Sequence, residues 1–365
     1  MALLYLPFFL IAYIAEYFRG DLHGGFSEEY VKWIVLGAGL YASIGLLLLR
    51  WLLDRFFNPI VSGLTLLAIF LGTNLLFYTF SSPSMPHVYG FTLLLLWLYC
   101  YIKWLERPTI SSTIIIGLLS GIIALVRPTN VFILVFIPLW GLSTENGILH
   151  QIGLLFSRRW KLLLMGMCFF IPWIPQFIYW HYQAGNWLFF SYQHERFFWD
   201  DPEIINGLFS YKKGWLLYTP VMVLAWLGLP LLNRYVKAAR WAVPALLFLS
   251  LYVLMCWWSW WYGGSYGNRA FIDLYGLLAL PLAASIQFCY DKGRNAAIAA
   301  SILVLFFIGH NIFQMEQYKH GAIHYIAMTK EAYWDSFGRI HPSKTFDTLL
   351  NHKRPRQPEL NEPEP

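Results

Sequence analysis

Ten runs of apolar residues recur along this chain of 365, most of them near the ~20 residues that a helix needs to cross ~30 Å of hydrocarbon. They fall near 31–53, 59–80, 88–105, 110–126, 129–141, 160–181, 214–233, 241–261, 270–290 and 296–313, and short polar stretches part them. With 58% hydrophobic and 13% charged residues, no soluble domain of this length could hide its apolar surface in one core. The pattern predicts an all-α, polytopic membrane protein of about ten transmembrane helices. The opening stretch, MALLYLPFFLIAYIAEYF, is interrupted by Pro7 and ended by Glu16 and Arg19, which predicts an interfacial helix, a short span or a re-entrant piece. It has neither the basic start nor the small-residue cleavage site of a signal peptide.

Orientation follows from Lys and Arg in the short loops. The stretches 50–55, 103–107, 158–161, 234–240 and 292–294 hold twelve, against seven on the alternate side, so the first set is expected in the cytoplasm. Carboxylates sort the other way. Nine, including Glu16, Asp21, Glu28, Glu29, Glu195 and Asp273, lie on or near the outer face, against Asp54, Glu106, Glu145 and Asp291 inside. Acidic residues do little to set topology, so the asymmetry points to polar function on the outer face. Eighteen Trp suit two long membrane interfaces. The four cysteines lie in apolar runs and make no disulfide framework. A net charge of +6 is ordinary beside anionic lipid, with membrane lipids as partners and no nucleic acid. Without an HExxH, DxD or Cys-His cluster, neither a metal nor another cofactor is expected.

Four concentrations of unusual residues mark the outer face. The turn SSPSMPHVYG delivers His87 to the surface. Arg127, in ALVRPTN with Asn130, stands between two apolar runs, where a guanidinium costs about 2.5 kcal/mol or more unless it meets water or an anion. Residues 182–213 form the one long loop, densely aromatic and ending in Lys212 and Lys213. The segment WWSWWYGGSYGNRAFID, residues 257–273, holds Tyr266, Arg269 and Asp273.

Each has two readings. The tryptophans at 257, 258, 260 and 261 make an interfacial belt or a platform for a sugar ring. Gly263 and Gly264 follow the aromatic cluster and turn the chain. His87 and Lys212 are surface groups or ligands. Arg127 and Arg269 sit where the positive-inside tendency disfavours them, and two guanidiniums at one membrane surface suit bidentate bonds to a lipid phosphate. His87, Asn130, Tyr266 and Lys212 complete the candidate binding set. An inverting sugar transfer needs a carboxylate to take the acceptor's proton and cations to receive the departing phosphate.

Here the residues carry a resemblance. LLYLPFFLIAYIAEYFRGDLHGGFSEEYVKW, FLGTNLLFYTFSSPSMPHVYGF, GLLSGIIALVRPTN, KKGWLLYTPVMVL and WWSWWYGGSYGNRAFIDLYGLLALPLA resemble, in order, landmarks of bacterial members of the glycosyltransferase C superfamily. That superfamily includes protein O-mannosyltransferases and the lipid A aminoarabinose transferase, and the likeness spans roughly residues 1–285. It implies an inner-membrane enzyme that transfers a sugar from a polyprenyl-phosphate donor to an acceptor on the extracytoplasmic side, with inversion.

In that superfamily the catalytic base is an acidic residue in the first outer loop, upstream of the LPFF-like stretch. This sequence opens on that stretch, so the resemblance implies a chain lacking the first span and the acidic motif. No catalytic residue is assigned by resemblance; Glu28 and Glu29 lie on the right side as substitutes. The competing classes are a transporter or flippase of a lipid-linked anion and a noncatalytic relic. No inverted repeat of broken helices supports transport. Residues 1–313 are expected to form the membrane domain, 314–350 a small outer appendage and 351–365 a disordered C-terminus.

Overall fold

The computed structural model describes residues 1–20, 24–142, 147–190, 192 and 195–352. Asp21, Glu145 and nearly all of the C-terminal stretch expected to be disordered lie outside the described residues. Within them the structure is helical, with no strand beyond one isolated antiparallel bridge between Phe197 and Trp257.

Seven helices among the described residues are long and apolar enough to cross a membrane: Ala2–Arg19, Glu28–Leu53, His87–Glu106, Arg159–Ala184, Lys237–Cys256, Arg269–Asp291 and Arg294–Lys319. They form a core and a rim. His87–Glu106, Lys237–Cys256 and Arg269–Asp291 bury 72%, 61% and 83% of their apolar windows, whereas the other four bury 22% or less and turn Leu, Ile and Phe outward. A helix apolar on all sides belongs inside, and His87–Glu106 follows that rule with Trp97, Tyr101 and Trp104 buried.

Six of the ten expected runs become such long helices and Ala2–Arg19 adds the seventh; the run 110–126 forms a shorter helix of 17 residues, Ile110–Val126, and three runs are broken. The run 59–80 splits into Pro59–Leu71 and Leu75–Phe80. At the break, the Asn311 side-chain amide donates to the carbonyls of Leu71 at 2.8 Å and Thr73 at 2.9 Å, which satisfies groups that a continuous helix would have used. The run 129–141 becomes a 3-10 stretch, Pro128–Val135, followed by Phe136–Leu139. Around Pro220 and Pro230 the run 214–233 divides into Trp215–Tyr218, Met222–Gly228 and Leu232–Tyr235, because proline lacks the N–H that continues a helix.

Small residues let the helices approach. On Ile110–Val126, Gly117 and Gly121 stand one turn apart against Arg159–Phe170; a Cβ at Gly117 would lie 2.6 Å from Cβ of Cys168, and one at Gly121 would strike the Phe169 carbonyl. The helix Arg294–Lys319 runs past the expected boundary at 313. Its Gln317 side chain donates to the carbonyls of Ser336 at 2.7 Å and Arg339 at 2.8 Å, pinning residues 320–350 across that end of the bundle. The opposite end carries the ion pairs Arg55–Glu106 at 2.8 Å and Arg234–Asp291 at 3.3 Å.

Candidate functional site

At the end where His87–Glu106 begins and Arg294–Lys319 finishes, the long loop, the 257–263 segment and the turn after Val126 enclose a cavity of about 530 Å³. Its walls are aromatic: Phe190, Tyr192, Phe197, Trp257, Trp258, Trp261 and Tyr262 line it. Its charged groups are Arg127, Arg269 and Glu195.

Backbone pairing sets Glu195. The amide of Phe198 donates to the Cys256 carbonyl at 2.6 Å and that of Trp258 to the Arg196 carbonyl at 3.2 Å, while the Phe197 and Trp257 rings meet at 4.8 Å. This register brings Glu195 beside Trp258, whose indole N–H donates to Oε2 at 2.7 Å. The carboxylate is half-buried, so its orientation is fixed while part of it stays accessible.

Arg269 starts a 3-10 stretch, Arg269–Leu274, that Asn268 caps by accepting from the Ala270 amide at 3.2 Å. Its Nη1 contacts the sulfur of Met85 at 3.2 Å, and it forms no ion pair with a described carboxylate. Arg127 is different. It ends the helix Ile110–Val126 in extended backbone, as a residue before proline does, and its Nη1 donates at 2.8 Å both to the Ala270 carbonyl and to Oδ2 of Asp273. The Tyr262 ring lies 5.6 Å from its guanidinium carbon. Arg127 is therefore neutralised inside the fold, whereas Arg269 brings an unbalanced charge to the cavity.

Tyr262 holds a left-handed backbone, φ 55°, which is uncommon for a non-glycine residue and recurs at functional sites. Its hydroxyl donates to the Leu254 carbonyl at 3.1 Å, and burial pushes its pKa up to about 12.

Behind Arg127 lies a buried polar cluster. His87 Nδ1 stands 3.4 Å from Oδ1 of Asp273, within ion-pair range but not aligned as a hydrogen bond, and both atoms lack a hydrogen-bond partner among the described residues. The Asn130 Nδ2 is likewise buried without one. Gly90 makes room for the carboxylate, because a Cβ there would lie 2.6 Å from Asp273 Oδ1.

Of the candidate residues, Arg127 and Arg269 reach the cavity together. His87 and Asn130 are not among its lining residues and sit around Asp273. Tyr266 is wholly buried, its hydroxyl donating to Asn311 Oδ1 at 3.0 Å, and also lies outside the cavity wall. Lys212 packs against Trp261, its Nζ 4.2 Å from the ring centre. Its neighbour Lys213 is fully buried, with Nζ donating to the Ser265 carbonyl; burial first, then Arg269 and Lys212, holds its pKa well below the usual lysine range. Glu29 pairs with Arg19 at 3.0 Å and accepts from Trp33 at 3.0 Å; neither it nor Glu28 lines the cavity.

Sequence reasoning had singled out neither Glu195 nor the pairing of Asp273. The available signals were an acid within the aromatic loop and an Asp opening an apolar run. The described residues include no group of three His, Cys, Asp or Glu arranged to hold a metal. No protein-family model, curated protein or solved structure matches this chain.

Proposed function

We propose that this chain is a multi-pass membrane glycosyltransferase of the glycosyltransferase C type, which holds a polyprenyl-phosphate-linked sugar in the aromatic cavity and transfers it, with inversion, to an acceptor on the extracytoplasmic face. Membrane insertion is supported by the four rim helices, which leave most of their apolar windows exposed, with Leu, Ile and Phe turned outward. The exposed Trp187, Leu188 and Phe190 continue that surface toward the cavity mouth. Ile110–Val126 and the broken runs 59–80, 129–141 and 214–233 bring the spans after Ala2–Arg19 to ten, the irregular backbone shielded by neighbouring helices. On this reading the cavity opens on the outer side of a bacterial inner membrane, an orientation that the lysine and arginine bias supports.

The observation that carries the reading is Arg269, a guanidinium without a carboxylate partner among the described residues, in an aromatic cavity. A lipid phosphate satisfies it with bidentate hydrogen bonds, and the tryptophan faces receive the sugar. The carboxylate of Glu195 takes the acceptor hydroxyl's proton as that oxygen attacks the anomeric carbon. The bond from that carbon to the phosphate oxygen breaks from the opposite face. The lipid phosphate leaves with one further negative charge, which Arg269 stabilises.

Binding of a fluorescent polyprenyl phosphate to the purified chain tests this. Arg269→Ala is expected to weaken it by about ten- to a hundredfold, the range for hydrogen bonds to charged groups. Glu195→Gln should keep that binding and abolish transfer of a radiolabelled sugar. Unchanged affinity in Arg269→Ala removes the phosphate site from the argument.

A further inference from the structure

Beyond the last long helix, the turn at 324–327 reaches the cavity wall through Ile326. Its backbone is tied at two points. The Ser265 amide donates to the Tyr325 carbonyl at 3.2 Å, and the Asn351 amide to the Ala327 carbonyl at 2.9 Å. Between these ties the Tyr325 ring packs on Gly264, where a Cβ would lie 2.9 Å from it. The turn is thus fastened to the segment that supplies Trp257, Trp258, Trp261 and Tyr262 to the wall, and Ile326 joins them there.

A side chain closes this turn. Nδ1 of His324 accepts the amides of Ile326 at 3.2 Å and Ala327 at 2.9 Å, much as Asn and Asp side chains hold their own turns. A ring nitrogen that accepts N–H groups carries no proton, so this imidazole is neutral, with its hydrogen on Nε2. A proton added at Nδ1 would point at two donors, and both bonds would be lost. Tyr325 stacks on the ring at 4.5 Å and His352 meets it edge-on at 5.5 Å. Burial first, then His352 and Lys213, holds the His324 pKa below the ordinary 6.5, with Asp347 acting in the opposite sense. A released ring returns to the ordinary value, so the closed turn keeps its full stability above that pH and loses it as the pH falls.

We propose that His324 is a pH-sensitive latch on the cavity: the neutral ring holds the 325–327 turn and seats Ile326 in the wall, and the protonated ring lets the turn open and Ile326 withdraw. On the glycosyltransferase reading, on which this role rests, acid at the outer face weakens donor binding.

Hydrogen exchange of the full chain in detergent, read by mass spectrometry and corrected for intrinsic rates, tests the latch without any ligand. It is compared at about pH 7.5 and about pH 5.5, one unit either side of the ordinary histidine value. An open ring titrating near 6.5 favours opening about tenfold at the lower pH, so protection of the Ile326 and Ala327 amides should fall about tenfold. His324→Asn puts an amide oxygen that does not titrate in the place of Nδ1, and its protection should hold at both pH values. Binding of fluorescent polyprenyl phosphate should weaken more steeply with acid in the wild type than in His324→Asn; the comparison cancels titration of the phosphate and of Glu195. No binding by either protein at the higher pH removes the donor reading alone, because the exchange measurement uses no donor. Wild-type protection that is equal at the two pH values, or a His324→Asn response as steep as the wild type's, overturns the latch.

Discussion

Two arginines at one cavity should respond oppositely to removal. Arg127 donates to an Asp273 carboxylate whose side chain is 1% exposed, and its own side chain is 13% exposed. Cutting it to alanine strands a buried carboxylate, which costs about 3–5 kcal/mol when one partner of a buried pair is lost. Asp273→Asn should cost a similar amount by stranding the guanidinium. Replacing both, as Arg127→Met with Asp273→Leu, removes the charge imbalance and should recover much of the loss, since well-packed apolar pairs often match buried ion pairs. Arg269 has no carboxylate partner among the described residues, and Arg269→Ala should change stability by less than about 1 kcal/mol while weakening lipid-phosphate binding. Thermal unfolding in detergent, run beside polyprenyl-phosphate binding, separates the two effects. The reasoning fails if Arg127→Ala unfolds at the wild-type temperature, or if Arg269→Ala loses as much stability as Arg127→Ala.

Lys213 gives a pH signature. Its pKa is lowered in the folded state from 10.5, so the unfolded chain binds more protons between the two values and stability should rise with pH across that window. Lys213→Met should flatten that rise and be the more stable protein at neutral pH, as followed by unfolding across pH 7 to about 11. Gly121→Leu drives a side chain into the Phe169 carbonyl and should separate Ile110–Val126 from Arg159–Phe170, lowering stability by about 1–3 kcal/mol. Gly90→Ala, with its Cβ against Asp273, should cost a similar amount; a neutral result would show that the carboxylate can move aside. With the four native cysteines changed to serine, a cysteine at Asn186 should react with an impermeant maleimide in intact cells and one at Ser157 should not. Equal labelling rejects the orientation.

Much of the fold was legible because hydropathy is a local property. Apolar runs of the right length became long helices at 28–53, 87–106, 159–184, 237–256, 269–291 and 294–319, near the limits that the sequence marked. Arg127 and Arg269 were conspicuous for the same reason, since a charge beside an apolar run shows without knowledge of its neighbours. Helix continuity was less local. Nothing near residue 72 announces that Asn311, 240 residues away, will take up the carbonyl of Leu71.

The arginines' different situations were beyond the sequence altogether. Asp273 lies 146 residues from Arg127, and the bond between them exists because Gly90 lets the carboxylate press against a third helix. Glu195 reached the cavity through a two-bond backbone register with residues 256–258, which no periodicity encodes. By itself the sequence determined which segments are helical and apolar, because each residue's transfer energy and helical preference act where it stands. Tertiary structure alone decided which charges are neutralised and which remain available to a ligand, because electrostatic pairing depends on distances of a few ångströms that packing sets.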